Sequence, residues 1–157
     1  MQKTLTCLWM DDRIEEAVNF YVSLFEDSRI TDTARYNDAT PEMAGKVLTM
    51  SFELAGTRYM ALNGGPIFQP NEAVSIFVNC RDQAEVDRLW DALVGNGGAE
   101  SQCGWCRDRY GFSWQIVPEA MPNYIAGPDK ARAARAMQAM LAMKKLDLAM
   151  IERAYAA

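Results

Sequence analysis

Histidine is absent from the 157 residues. That absence removes Ser-His-Asp and Cys-His catalytic arrangements together with every His-ligated metal site. Cationic side chains are in deficit: 16 Lys and Arg stand against 21 Asp and Glu, a net charge of −5. Such a balance argues against a broad nucleic-acid footprint, which needs clustered Lys and Arg. Long hydrophobic runs are also missing, both a signal-peptide-like start and a bilayer-spanning stretch. A cytoplasmic protein with no membrane partner is therefore expected. Four scattered cysteines do not make a secreted disulfide framework in a chain of this size. What is present is a chain that is 50% hydrophobic and long enough to bury one substantial core.

One pattern occurs twice along it. "LTCLWM" (5–10) reads as a strand and passes through Asp11-Asp12 into the helical "RIEEAVNFYVSLF", with Ile14, Val18, Tyr21 and Phe25 at helical spacing. Asp12 with Glu15 forms the expected capping pair. Three strand-like segments follow: "RITDTARY", "KVLTMSFEL" and "TRYMALN". The order then repeats. "VSIFVN" is a strand, and "DQAEVDRLWDALV" a helix with Val86, Leu89, Trp90 and Leu93 as its stripe and Asp82 with Glu85 as its capping pair. "GNGG" (95–98) stops the helix, and Glu100 to Asp108 and "GFSWQIV" are two further strands. A constant offset of 69 carries Thr6 onto Ser75 and Phe20-Tyr21 onto Leu89-Trp90. The expected fold is α+β: two pseudo-symmetric βαβββ modules, about 1–66 and 72–118, in one domain spanning 1–157. Their largely antiparallel sheet forms a cup with helices on its outer face, and a helical extension occupies about 128–157.

Alternation along the strands sorts side chains onto two faces. Leu48, Met50, Phe52, Leu54, Met60, Leu62, Ile76, Val78, Trp114 and Ile116 form an apolar set expected to face the helices. The opposite parity holds Thr6, Leu8, Tyr59, Ala61, Asn63, Ser75, Phe77, Ser113, Gln115 and Val117. That mixed face, without Lys or Arg, has the character of a small-molecule cavity. A second core covered by the C-terminal segment is the alternative.

Cys103-Gly-Trp-Cys106 has the spacing of a redox pair, but no helix is expected to begin at Cys103 to stabilise a thiolate. Residues three apart on a strand point to opposite faces, so two free thiols are expected unless Gly104 allows a bulge. Trp105 offers an aromatic wall and one N–H donor at a cavity rim. Cys7 and Cys80 read as buried strand residues. "NDATPEMAGK" (37–46) is a surface loop or a lid over the cup. In the tail, Pro128-Asp129 opens a helix carrying Met137, Met140, Leu141 and Lys144. Asp147 caps the last helix, where Leu146 staples against Ile151.

The stretches "EEAVNFYVSLF", "YMALNGGPIF", "EAVSIFVNC", "EVDRLWDAL", "QCGWCRDRYGFSWQIVP" and "AMQAMLAMKKLD" resemble the vicinal oxygen chelate (glyoxalase/bleomycin-resistance) superfamily. The closer resemblance is to its PhnB-like branch, labelled 3-demethylubiquinone-9 3-methyltransferase-like, and it covers nearly the whole chain. It implies a cup that holds a small molecule, and a homodimer. The metal enzymes of that superfamily carry four His or Glu ligands at positions that match Thr6, Ala61, Ser75 and Gln115. Two hydroxyls, a methyl and a neutral amide do not make a divalent-metal site, so no metal and no other cofactor is expected. Ile67 stands where relatives have a His after Gly-Gly-Pro.

Three functions follow from this. The first is a metal-free protein binding a small aromatic or oxygen-rich molecule through Thr6, Tyr59, Asn63, Ser75, Phe77, Trp105 and Gln115. The second is an enzyme working without histidine, whose catalytic residue is not identified. The third is the methyltransferase of the family label, for which no Gly-rich strand–turn–helix is found.

Overall fold

Val, Ile, Thr and aromatic residues fill the segments that become strands, and in the computed structural model, which describes residues 3–157, eight strands and five helices form. The chain divides into two compact units, Met1–Pro70 and Asn71–Ala157. In the first unit the order is β1 (Thr6–Met10), α1 (Ile14–Leu24), β2 (Arg29–Arg35), β3 (Val47–Leu54) and β4 (Thr57–Asn63). Its sheet has the spatial order β1-β4-β3-β2, with β1 parallel to β4 and the other pairs antiparallel. The apolar stripe Ile14, Ala17, Val18, Tyr21 and Leu24 buries α1 against β3.

The second unit repeats the arrangement with β5 (Ser75–Cys80), α2 (Gln83–Val94), β6 (Ala99–Glu100), β7 (Trp105–Arg107) and β8 (Ser113–Pro118). The order is β5-β8-β7-β6, with β5 parallel to β8. Three more helices close it: α3 (Met121–Ile125), α4 (Lys130–Leu141) and α5 (Leu148–Ala156). The βαβββ reading holds in both units.

Local capping follows the sequence in one half and departs from it in the other. Asp82 accepts from the N–H of Glu85 at 2.9 Å, and the Glu85 carboxylate accepts from the N–H of Arg81 at 2.8 Å. At α1 the cap residue is Arg13, with no side-chain cap, and Asp11 accepts from the Arg13 N–H at 3.0 Å. The expected Asp12–Glu15 pair does not form. The cause is a connection one residue longer. Met10 and Cys80 end their strands 70 positions apart, whereas Ile14 and Gln83 begin their helices 69 apart.

The expected strand from Glu100 to Asp108 is in fact a hairpin. Cys103 and Gly104 take positive φ values of 56° and 85°, which fold β6 and β7 back on each other. A Cβ on Gly104 would lie 2.9 Å from both the Ile116 carbonyl oxygen and Leu146 Cδ1. Glycine is needed there for space as well as for φ.

The tail forms its own small core of Met121, Ala136, Met143, Leu146 and Ile151, with Val117, Tyr124 and Met140 packed against it. Asp129 and Asp147 cap α4 and α5 as expected. Met140 of the expected tail helix thus packs within the chain. This core docks on the hairpin turn: the N–H groups of Cys103 and Gly104 donate to the carbonyls of Met143 and Lys144, each at 2.8 Å. Among the described residues no helix is long and apolar enough to cross a membrane.

Candidate functional site

Pairing register decides which side chains share a face, because hydrogen-bonded neighbours across a sheet point the same way. In the second unit Phe77 pairs with Gln115, and Gln115 with Trp105. These three form one row across β5, β8 and β7. Ser75 pairs with Ser113, and Ser113 with Arg107, in a second parallel row. Both rows lie on the face opposite to Trp114, Ile116 and Cys106, which are buried under α2. Four expected site residues, Ser75, Phe77, Trp105 and Gln115, therefore come together.

Gln115 Nε2 donates to Ser75 Oγ at 2.9 Å. Phe77 remains 52% exposed, while Ser75, Trp105 and Gln115 are half-buried. Ser113 is 3% exposed as a residue, but the buried side-chain polar atom left without a partner among the described residues is Asn63 Oδ1, not its hydroxyl. Two members of the face were not selected from sequence. Ser113 had the correct parity but carried no distinguishing signal. Arg107 was hidden because the turn at Cys103-Gly104 was not recognised, so β7 had no assigned parity.

The other three expected residues lie elsewhere, which corrects the face assignment in the first unit. Thr6 pairs with Tyr59, Leu8 with Ala61 and Met10 with Asn63, while Phe52 pairs with Tyr59 and Met50 with Ala61. Phe52 is buried, stacks on Tyr59 at 5.6 Å and approaches Tyr21 of α1 at 6.5 Å. Thr6, Tyr59, Ala61 and Asn63 are accordingly on the helix side of their sheet. In β1 the longer βα connection causes the error, since an offset taken from the helices is wrong by one there and one residue reverses a strand's faces; in β4 both parities are largely apolar and hydrophobicity does not choose between them. Leu48 leaves the apolar set as well, since the β2–β3 pairing slips there.

Asn63 is 1% exposed, donates to the Val47 carbonyl at 3.0 Å, and its Oδ1 has no partner among the described residues. Its own carbonyl accepts from the Tyr36 hydroxyl at 2.7 Å. It is an internal brace. The face opposite to it holds Cys7, Trp9, Met60 and Leu62, and Cys7 is exposed, not buried as expected. Trp9 Nε1 donates to the Gly65 carbonyl at 2.9 Å, and Phe68 meets the indole edge-on at 4.9 Å.

Loop 37–46 is closed at its base by two hydrogen bonds, Tyr36 N–H to the Lys46 carbonyl at 2.9 Å and Gly45 N–H to the Tyr36 carbonyl at 3.0 Å. Arg35 further ties the Gly45 carbonyl at 3.0 Å.

The chemistry available to a metal is poor on either face. Neither Cys7, Trp9, Met60 and Leu62 nor Ser75 and Gln115 form an anionic or imidazole ligand set. Among the described residues no three His, Cys, Asp or Glu side chains cluster to hold an ion. The residues present do not fit the metal of the superfamily's enzymes.

All four cysteines are free. Burial, with Glu85 adding repulsion, pushes the Cys80 thiol up to about 12, and burial with Asp108 does the same to Cys106, also to about 12. These thiols ionise in the unfolded chain first, from an ordinary value of 9.0. Their contribution to stability is therefore whole below pH 9.0 and is lost as pH climbs toward about 12. Urea melts at pH 8 and pH 10.5 should show a steeper alkaline loss in wild type than in a Cys80→Ala/Cys106→Ala variant. Equal losses would remove these thiols from the account.

Comparison with known proteins places the chain among relatives of similar build. Residues 2–117 match the family described as 3-demethylubiquinone-9 3-methyltransferase. A solved PhnB protein from Bacillus cereus is 32% identical, with 74% of this chain and 99% of that one covered and a TM-score of 0.69. A protein from Pseudomonas aeruginosa is 22% identical over 76% of this chain and 98% of that one, TM-score 0.62. The fosfomycin resistance protein FosX from Listeria monocytogenes, solved with Mn(II) and sulfate, is 12% identical over 78% of this chain and 94% of its own, TM-score 0.55. The last two show a shared fold. Among curated proteins no match was found.

Proposed function

The chain belongs to the 3-demethylubiquinone-9 3-methyltransferase family, a PhnB-like branch of the vicinal oxygen chelate superfamily, and from that premise we propose that it binds a small planar organic molecule on the sheet face of Phe77, Gln115 and Trp105. The observation that carries this is one amide held between two aromatic side chains in register, with Gln115 Nε2 tied to Ser75 Oγ at 2.9 Å. The tie orients the amide and leaves Oε1 and the second N–H for a ligand. Phe77 and Trp105 stand two strands apart, about 10 Å, a separation that admits a flat ring along their walls. Binding, rather than acid–base turnover, suits a row of amide, hydroxyl and aromatic groups that do not titrate near neutrality. The methyltransferase of the family description finds little support. Both βα connections, 11–13 and 81–82, lack glycine, and each sheet is a mixed four-stranded one rather than a doubly wound parallel one. The same reading takes the protein to be a cytoplasmic homodimer that uses no metal.

Gln115→Leu tests the site. Ser75 is half-buried and water can replace its lost partner, so stability should change by less than about 1 kcal/mol. Ligand response should vanish: benzoate or benzamide should shift the Trp105 indole N–H resonance in the wild type and should no longer do so in the variant. A large loss of stability with the response intact would make Gln115 a structural amide and end this reading.

A further inference from the structure

We infer that the molecule bound on this face is an organic anion, its charged head lying over the second row, Ser75, Ser113 and Arg107, and its flat body over the first. This deepens the proposed function and rests on it. The polar groups the fold leaves over are overwhelmingly donors. Ser75 Oγ already accepts from Gln115 Nε2 at 2.9 Å, so its remaining capacity includes its own O–H. Ser113 stands beside it, and its hydroxyl makes no hydrogen bond among the described residues while not being sealed from solvent, which leaves its O–H open to an acceptor. Arg107 pairs with Ser113 across the β7–β8 ladder and so stands on the same face beside it. Its guanidinium adds five N–H donors and a fixed positive charge. The only acceptor left over on the two rows, besides hydroxyl lone pairs, is Gln115 Oε1.

The charge is uncompensated at this place. Arg29, Arg58 and Arg132, among others, pair with carboxylates at 2.6, 3.8 and 3.4 Å. Among the described residues Arg107 has no such partner. The face's own positions on β5, β7 and β8 carry no Asp or Glu. Asp108, next in the chain after Arg107, accepts from the Tyr110 and Phe112 N–H groups and from Trp114 Nε1, and Glu100 pairs with Cys106 and so points to the other face, where it accepts from Trp90 Nε1 at 3.2 Å. A donor-rich, cationic row next to an aromatic–amide row matches an acceptor-rich anionic head on a planar body, as in an aromatic carboxylate.

The test uses the full chain with two isosteric probes, benzoate and benzamide, followed through the Trp105 indole N–H resonance. Wild type should bind benzoate at least fivefold more tightly than benzamide, and added salt should erode that preference. Arg107→Gln, a change at an exposed side chain, should equalise the two, and Arg107→Lys should restore part of the preference. If benzamide binds as well as benzoate in wild type, or Arg107→Gln keeps the preference, the anion inference is overturned while the binding face stands. If neither probe moves Trp105, the binding face itself is overturned.

Discussion

Asp108→Ala should lower the melting temperature by about 10 °C. The Asp108 carboxylate is 2% exposed and answers three donors: the N–H groups of Tyr110 and Phe112 at 2.8 and 3.0 Å on Oδ1, and the Trp114 indole N–H at 2.8 Å on Oδ2. Truncation strands all three, the Tyr110 N–H and the Trp114 indole in buried surroundings and the Phe112 N–H in partly buried ones. Each charge-assisted bond is worth about 1.5–3 kcal/mol, and their non-additive loss comes to about 3–5 kcal/mol. Asp108→Asn should cost less. An amide oxygen at the Oδ1 position keeps the turn, and only the indole loses its acceptor. In a Trp114→Phe background that Asp108→Asn increment should shrink, since the donor it offends is gone. A melt of Asp108→Ala within about 2 °C of wild type would show that the carboxylate is dispensable. The consequence for function is direct. Asp108 sits at the bend between β7 and β8, the hairpin that sets Trp105 and Arg107 against Ser113 and Gln115.

Gly64→Ala should cost about 1–3 kcal/mol, the range for overpacking a filled site. A Cβ at Gly64 would overlap the Trp9 indole ring, whose position is held by its bond to the Gly65 carbonyl and by its T-shaped contact with Phe68. Gly64 itself has no positive φ, so the penalty is one of space alone. Trp9→Leu should therefore absorb most of it, with the double variant less destabilised than the sum of the two single changes. Gly65 differs: nothing lies within 4 Å of its added Cβ, but its φ of +79° makes any side chain strained there. No partner substitution should rescue Gly65→Ala. Denaturant melts of these four variants decide the matter. Failure of Trp9→Leu to relieve Gly64→Ala would place the cost in the backbone instead.

Much of the architecture is a property of the one-dimensional pattern. Ile14, Val18 and Tyr21, and again Val86, Leu89, Trp90 and Leu93, mark their helices because apolar side chains at helical spacing can be buried only on one stripe. Asp82, Asp129 and Asp147 announce helix starts because a short carboxylate there reaches N–H groups that have no other acceptor. In the second unit, polar Ser75 and Gln115 alternate with apolar Ile76 and Ile116, so the two faces were legible before any pairing was known. The repeat was legible in the same way.

Pairing decided the rest. In the first unit both parities of β4 are largely apolar, Tyr59 and Ala61 on one and Met60 and Leu62 on the other, so hydrophobicity does not say which side is buried. The ladder does, by setting Ala61 opposite Leu8 and Met50 beneath α1. A single additional residue before α1 was enough to reverse the faces of β1, because side chains alternate with a period of two while a loop absorbs an insertion without trace. Arg107 entered the site for a similar reason. Only the left-handed turn at Cys103 and Gly104, held by the carbonyls of Met143 and Lys144 some 40 residues on, fixes the phase of β7. Helices and caps are local and were written in the sequence; which face a strand presents is a relation between distant segments, and it exists only once they have paired.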